Sequence, residues 1–154
     1  MNKIILPLLA LIAILFVVAG YSGGDSGDTA ITVVADAEQL NNAVAEGPVL
    51  VEIGTNNCPA CTAQKPILAQ IAKEYEGKAS VLYINADMTR ALATSFNIYS
   101  IPDMFVIVEE TEEGYIYMTQ AGETTTDRNT ARFIGLTTKG TLTGTLDKAI
   151  EYRQ

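Results

Sequence analysis

The run Val49-Leu50-Val51-Glu52-Ile53-Gly54-Thr55-Asn56-Asn57-Cys58-Pro59-Ala60-Cys61 brings a near-continuous apolar strand directly up to the chain's only two cysteines. An amphipathic stretch opens near Ala63 and sets Ile67, Leu68, Ile71, Ala72 and Tyr75 on one helical face. A strand that delivers C-x-x-C to the start of a helix is a redox signature. At a helix N-terminus the first backbone N–H groups are unpaired and the macrodipole is positive, so a thiolate on Cys58 is favoured there. Bringing a free thiol from about 8.5 to about 7 takes about 2 kcal/mol, and a helix end supplies roughly 0.3–1 and at most about 2. Local N–H bonds or neighbouring groups must add to it.

On the residues alone, three other readings stay open. The pair could be an inert structural disulfide, though closing so short a loop stabilises by only about 2 kcal/mol. It could be half of a zinc site, but zinc wants four ligands; the chain has no His and no further Cys, so only an intermolecular site would serve. It could be a pair of ordinary buried thiols.

Working outward, Ile31-Thr32-Val33-Val34 reads as a first strand. Asp36-Ala37-Glu38-Gln39 reads as a capping box opening a helix to about Ala45, which Gly47-Pro48 ends. Val49–Gly54 has the pattern of a strand buried on both faces. Pro66 falls inside the following helix and predicts a kink. Val81-Leu82-Tyr83-Ile84 is the next strand, and Asp87 is placed to cap a short helix over Thr89–Ser95. Asn97–Pro102 reads as a loop into the strand Met104–Val108, and Glu109–Gly114 as a solvated hairpin tip. Tyr115–Thr119 pairs back, residues 120–129 read as polar loop, and Ala131–Leu136 as a short strand. Thr138–Tyr152 reads as a terminal helix, weakened by about 1 kcal/mol at each of Gly140 and Gly144. No internal repeat is visible. The order β-α-β-α-β-α, then β-β-α, predicts an α/β fold with a mixed sheet and helices on both faces.

At the other end, Ile4–Ala19 carries no charge behind Met1-Asn2-Lys3. Residues 1–21 read as a signal peptide or signal-anchor helix, 22–30 as a flexible Gly/Ser/Asp linker, and 31–154 as one domain. As a helix, residues 4–21 would reach about 27 Å, slightly short of a ~30 Å hydrocarbon core. If uncleaved, they tether the domain to the membrane on its extracytoplasmic side; cleavage after Ala19 would make the protein secreted. Either compartment tolerates disulfides. The net charge is −8, and without residues 1–19 it is −9, from 9 basic and 18 acidic side chains. An acidic domain repels nucleic acid and anionic lipid heads, so neither is expected as a partner. Without His, imidazole catalysis and imidazole metal ligation are excluded, and no metal or cofactor is called for.

Four features together resemble the thioredoxin superfamily: Cys58-Pro59-Ala60-Cys61 after the second strand, Pro66, Glu52 six residues before Cys58, and Ile101-Pro102 before the next sheet strand. The likeness covers about Ile31–Tyr152. It implies a thioredoxin-like three-layer α/β/α sandwich with a mixed central sheet, preceded here by the N-terminal hydrophobic helix. It further implies Cys58 as nucleophile, Cys61 as resolving thiol and Glu52 as proton relay. Ile101, a cis Pro102, Pro59 and Ala60 would form the surface that meets the substrate.

The chain departs from the family pattern in several places. Asn57 stands where members carry Trp, the spacer is Pro-Ala, and the hairpin around 109–130 is longer. Tyr83 stands where many members place a Lys, which predicts that Glu52 lacks a cationic neighbour. The spacer has no His to stabilise the thiolate, which favours a reductase. The implied function is a membrane-tethered, extracytoplasmic thiol–disulfide oxidoreductase, more a reductant of client protein disulfides than an oxidant, resupplied by a thiol or membrane electron donor. The rivals are a non-catalytic thioredoxin-like module that binds a peptide or client with its cysteines locked as a structural disulfide, and an interaction domain on a membrane anchor.

Overall fold

The computed structural model describes residues 31–154, so the expected N-terminal helix over 1–21 and linker over 22–30 lie outside the described residues. The chain runs β1 (Thr32–Val33), α1 (Ala37–Glu46), β2 (Val49–Gly54), α2 (Pro59–Glu74), β3 (Ser80–Asn85) and α3 (Arg90–Ser95). It continues β4 (Asp103–Thr111), β5 (Gly114–Met118), β6 (Thr124–Thr125), α4 (Arg128–Ala131), β7 (Phe133–Ile134) and α5 (Lys139–Tyr152).

The strands form one mixed sheet in the order β1-β3-β2-β4-β5-β6, with β7 beside the start of β4. β1, β3 and β2 are parallel, and β4, β5 and β6 turn antiparallel. Strand period two sorts the core. Val49, Val51 and Ile53 of β2 join Leu40, Val44, Phe96 and Phe105 on one face, under α1 and α3. Leu50 joins Leu68, Ile71, Met104, Leu142 and Leu146 on the other, under α2 and α5. The expected three-layer α/β/α sandwich is present. β2 lies between two strands and is buried along its whole length, which fits its near-continuous apolar run.

The cap read from sequence is present at α1, where Asp36 accepts from the Gln39 N–H at 2.9 Å; α5 has a cap of its own, where Thr138 accepts from the Thr141 N–H. Several expectations change. α2 begins at Pro59, directly after Cys58 as the C-x-x-C reading expects and one turn before the amphipathic stripe opens near Ala63, because Pro at the first helical position forfeits no bond. Asp87 caps nothing: α3 starts from Thr89, held by its N–H and hydroxyl to the Asn85 carbonyl. β1 is two residues long rather than four, with Val34 N–H bonded to the Tyr83 carbonyl beyond it. β4 runs on through Glu109–Thr111, so the hairpin tip shrinks to Glu112-Glu113. The expected loop 120–129 contains β6 and the start of α4, and the expected strand over Ala131–Leu136 is only Phe133–Ile134. These short elements depend on contacts across the fold, which local pattern does not register.

Candidate active site

β2 and α2 meet at Cys58. Its extended backbone, φ −94° and ψ 112°, makes it the N-cap of α2, and its sulfur accepts the Cys61 N–H at 3.1 Å. That N–H is one of the donors a helix start leaves unpaired. Cys58 is half-buried and Cys61 wholly buried, and the two are joined as a disulfide. Of the two residues, Cys58 is the one that reaches the surface. Pro59 is exposed and Ala60 half-buried on the first turn beside them.

Below the sulfurs lies the α2-facing side of β2, which carries Leu50, Glu52 and Gly54. A Cβ on Gly54 would stand 2.9 Å from Cys61 Sγ and 3.3 Å from Glu52 Oε1. Both atoms therefore crowd one point, and the missing side chain is what admits Cys61. The sequence signal for Gly54 was weak: a glycine closing an apolar strand.

Glu52 is fully buried, and neither carboxylate oxygen has a hydrogen-bond partner among the described residues. Burial raises its pKa from 4.5 to about 7, against a lowering pull from the Lys65 charge. Tyr83 is paired in register with Glu52 across β2 and β3. Burial, with Glu52 and Asp87 adding to it, pushes the Tyr83 hydroxyl up to about 12. Lys65 Nζ lies 5.2 Å from the Tyr83 ring centre. The expectation that Glu52 lacks a cationic neighbour is therefore overturned. With an aromatic ring in the strand position, the cation comes from α2, four residues after Cys61, and its ammonium lies over that ring.

The Ile101–Pro102 peptide bond is cis. Pro102 is buried, and its carbonyl accepts the Gly135 N–H at 2.8 Å. Gly135 has φ +80°, a backbone conformation that favours glycine. Two residues on, the Thr137 N–H donates to Gln64 Oε1 at 2.8 Å, and Gln64 Nε2 donates to the Thr137 carbonyl at 3.2 Å. Gln64 is wholly buried on α2. The chain Pro102–Gly135–Thr137–Gln64 thus links the cis-proline segment to the helix that carries the sulfurs. Among the described residues, no hydrogen bond reaches the Ile101 N–H or carbonyl, and Ile101 is half-buried. The Ile101 backbone is left unpaired there. Gln64 and Gly135 were not singled out from sequence, since nothing local marks a glutamine that bonds a loop 73 residues away.

Residues 31–131 match the sequence profile of the family described as Thioredoxin. The chain belongs to the thioredoxin family. That is a family of disulfide oxidoreductases, and this thioredoxin-like chain carries the family's C-x-x-C spacing at Cys58 and Cys61. It is 37% identical to chloroplastic thioredoxin M5 of Oryza sativa subsp. japonica over 76 residues, covering 48% of this chain but only 44% of the rice protein. It is 34% identical to a thioredoxin of Staphylococcus aureus over 77 residues, covering 50% of this chain and 73% of that one. The fold also superimposes on a mutant thioredoxin from Halobacterium salinarum with a TM-score of 0.59 at 17% identity, covering 85% of this chain and 97% of that one.

Proposed function

We propose that the chain is a thiol–disulfide oxidoreductase held at the outer face of a membrane, where it reduces disulfides of client proteins. The observation that carries this reading is the asymmetry of the pair. Cys58 is reachable at a helix start with an N–H on its sulfur, while Cys61 is buried against Gly54 beside a carboxyl that titrates near neutrality. The thiolate of Cys58 attacks one sulfur of the client disulfide, forms a mixed disulfide and expels the other sulfur as a thiolate, which takes up a proton. Cys61 then gives its proton to ionised Glu52 and attacks Cys58 Sγ, releasing the second client thiolate. Two electrons pass to the client, and the Cys58–Cys61 disulfide remains. An external dithiol returns the pair to its reduced form by the same exchange in reverse. Ile101 and Pro102, with Pro59 and Ala60, form the surface on which the client backbone lies.

What stabilises the reduced form supports the reductive direction. Strong oxidants of this kind gain their potential from a stabilised thiolate. Here the Cys58 sulfur has one N–H, and the chain has no His to add to it. The membrane assignment rests on the uncharged run Ile4–Ala19; among the described residues no helix is long and apolar enough to cross a membrane.

Insulin reduction driven by dithiothreitol tests the chemistry. Cys58→Ser should abolish turnover, and Cys61→Ser should accumulate mixed disulfides. An equilibrium potential near approximately −270 mV supports a reductase, and one near about −120 mV makes the chain an oxidase. A wild type that leaves insulin intact removes the reading in favour of a client-binding module. Protease protection of the domain in membrane vesicles tests the location.

A further inference from the structure

Besides Glu52, the buried charged groups among the described residues are Asp103, Arg128 and Arg132, and they meet directly after Pro102. Arg128 Nη1 donates to both Asp103 carboxylate oxygens, at 3.0 and 3.1 Å. Arg132 Nε donates to Asp103 Oδ1 at 3.3 Å, and its Nη2 donates to Oδ2. Arg128 Nη2 also donates to the Phe96 carbonyl. The Arg132 guanidinium lies 4.1 Å from the ring centre of Tyr99.

The places these bonds reach form a pattern. Phe96 is the residue on which α3 ends, and Asp103 is the residue on which β4 begins. Between them, Asn97–Pro102 is the loop that carries the cis peptide. Arg128 therefore grips both ends of the loop, and Arg132 grips its exit and its middle. Both arginines come from α4 and its C-cap, in the lengthened hairpin region. A buried ion cluster contributes little net stability compared with apolar packing of the same volume; what this one does in the structure is bond both ends of a single loop to one short helix. One arginine would neutralise Asp103; two leave a positive charge in excess, and the second is stacked under Tyr99. That ring is 74% exposed, so one face rests on a cation and the rest is open to solvent.

We propose that Arg128 and Arg132 are positioning residues for client binding, and that Tyr99 is a specificity-determining contact. The arginines hold the Asn97–Pro102 loop so that the unpaired backbone of Ile101 receives an extended client segment. Arg132 presents Tyr99, two residues before Ile101, to an apolar or aromatic residue of that client segment. A ring held in place before binding loses less freedom on contact, which favours affinity. This rests on the disulfide-exchange reading above.

The test uses the full chain with two substrates: insulin, whose chain must lie along the loop, and hydroxyethyl disulfide, which offers no peptide. Tyr99→Ala and Arg132→Met should each raise KM for insulin about tenfold with kcat changed far less, the size expected of one good aromatic contact. The ratio of insulin to hydroxyethyl disulfide turnover at low substrate should fall by about the same factor. Tyr99→Phe should restore the wild-type KM, and the potential of the Cys58–Cys61 pair should stay at its wild-type value in Arg132→Met. Because Tyr99 is exposed, its variants fold whether or not the arginine variant does. An unchanged insulin KM in Tyr99→Ala, or equal loss on both substrates, overturns the proposal. A wild type inert on both disulfides overturns the exchange reading itself, and this inference falls with it.

Discussion

A carboxyl buried without a hydrogen bond is far easier to bury protonated than charged, and Glu52 makes that preference measurable. Its pKa is about 7 folded and near 4.5 unfolded. Below pH 4.5 both states hold the proton, and the folded state is at no disadvantage from this group. As pH rises toward 7 the unfolded chain releases the proton first, so stability falls; above 7 the full loss, roughly 3 kcal/mol, is in place. Glu52→Gln should remove that dependence, so urea unfolding at pH 5 and pH 8 should show the variant gaining on the wild type as pH rises. Lys65 pulls the same pKa down. Lys65→Met should therefore move the Glu52 midpoint above its present value, read by carboxyl infrared absorption, and shift the rising limb of the pH–rate profile the same way. Gly54→Ala puts a carbon 2.9 Å from Cys61 Sγ. Overpacking of that kind should cost about 1–3 kcal/mol, seen by denaturant titration of the oxidised protein.

At the scale of elements, the strand–helix unit was legible because both periods are strong. β2 is apolar along its length and α2 follows with a helical stripe, so the sulfurs had to sit at their junction. The partners of that junction were harder to read. α4 has four residues and β7 has two, too few for a hydrophobic period to show. Arg128 and Arg132 look like solvated surface in the sequence, yet they are buried because Asp103 lies 25 and 29 residues upstream. Lys65 was missed as the cation near Glu52 for a related reason: the expectation was tied to a strand position that Tyr83 fills. Gln64 belongs to the same class. Its amide makes two bonds to the backbone of Thr137, joining α2 to the loop after β7. Gln64→Leu leaves both backbone groups without their partner. The variant should lose about 1–3 kcal/mol in chemical denaturation, and amide exchange at Thr137 should quicken well before global unfolding.

At the scale of the whole molecule, the geometry of β4 decides how far the chain's acidity reaches. Pro102 precedes the first residue of β4, while Glu109 and Glu110 lie toward its far end and Glu112-Glu113 form the turn beyond. A nine-residue strand spans roughly 27 Å from first to last Cα. The Debye length is about 8 Å at 0.15 M ionic strength and about 30 Å at 0.01 M. At physiological salt the hairpin acids are therefore screened from the cis-proline loop; at low salt they are not. The net charge of −8 should then act on clients mainly through encounter, attracting basic ones and repelling acidic ones. Stopped-flow reduction of a basic client should slow as salt is raised from about 0.01 to 0.15 M, and that of an acidic client should quicken. Glu112→Gln with Glu113→Gln should shrink both trends at the low-salt end and change the rate at about 0.15 M by less than about twofold. A large effect of the pair at high salt would mean that the hairpin touches the client directly, and the acidic tip would then count as part of the binding surface.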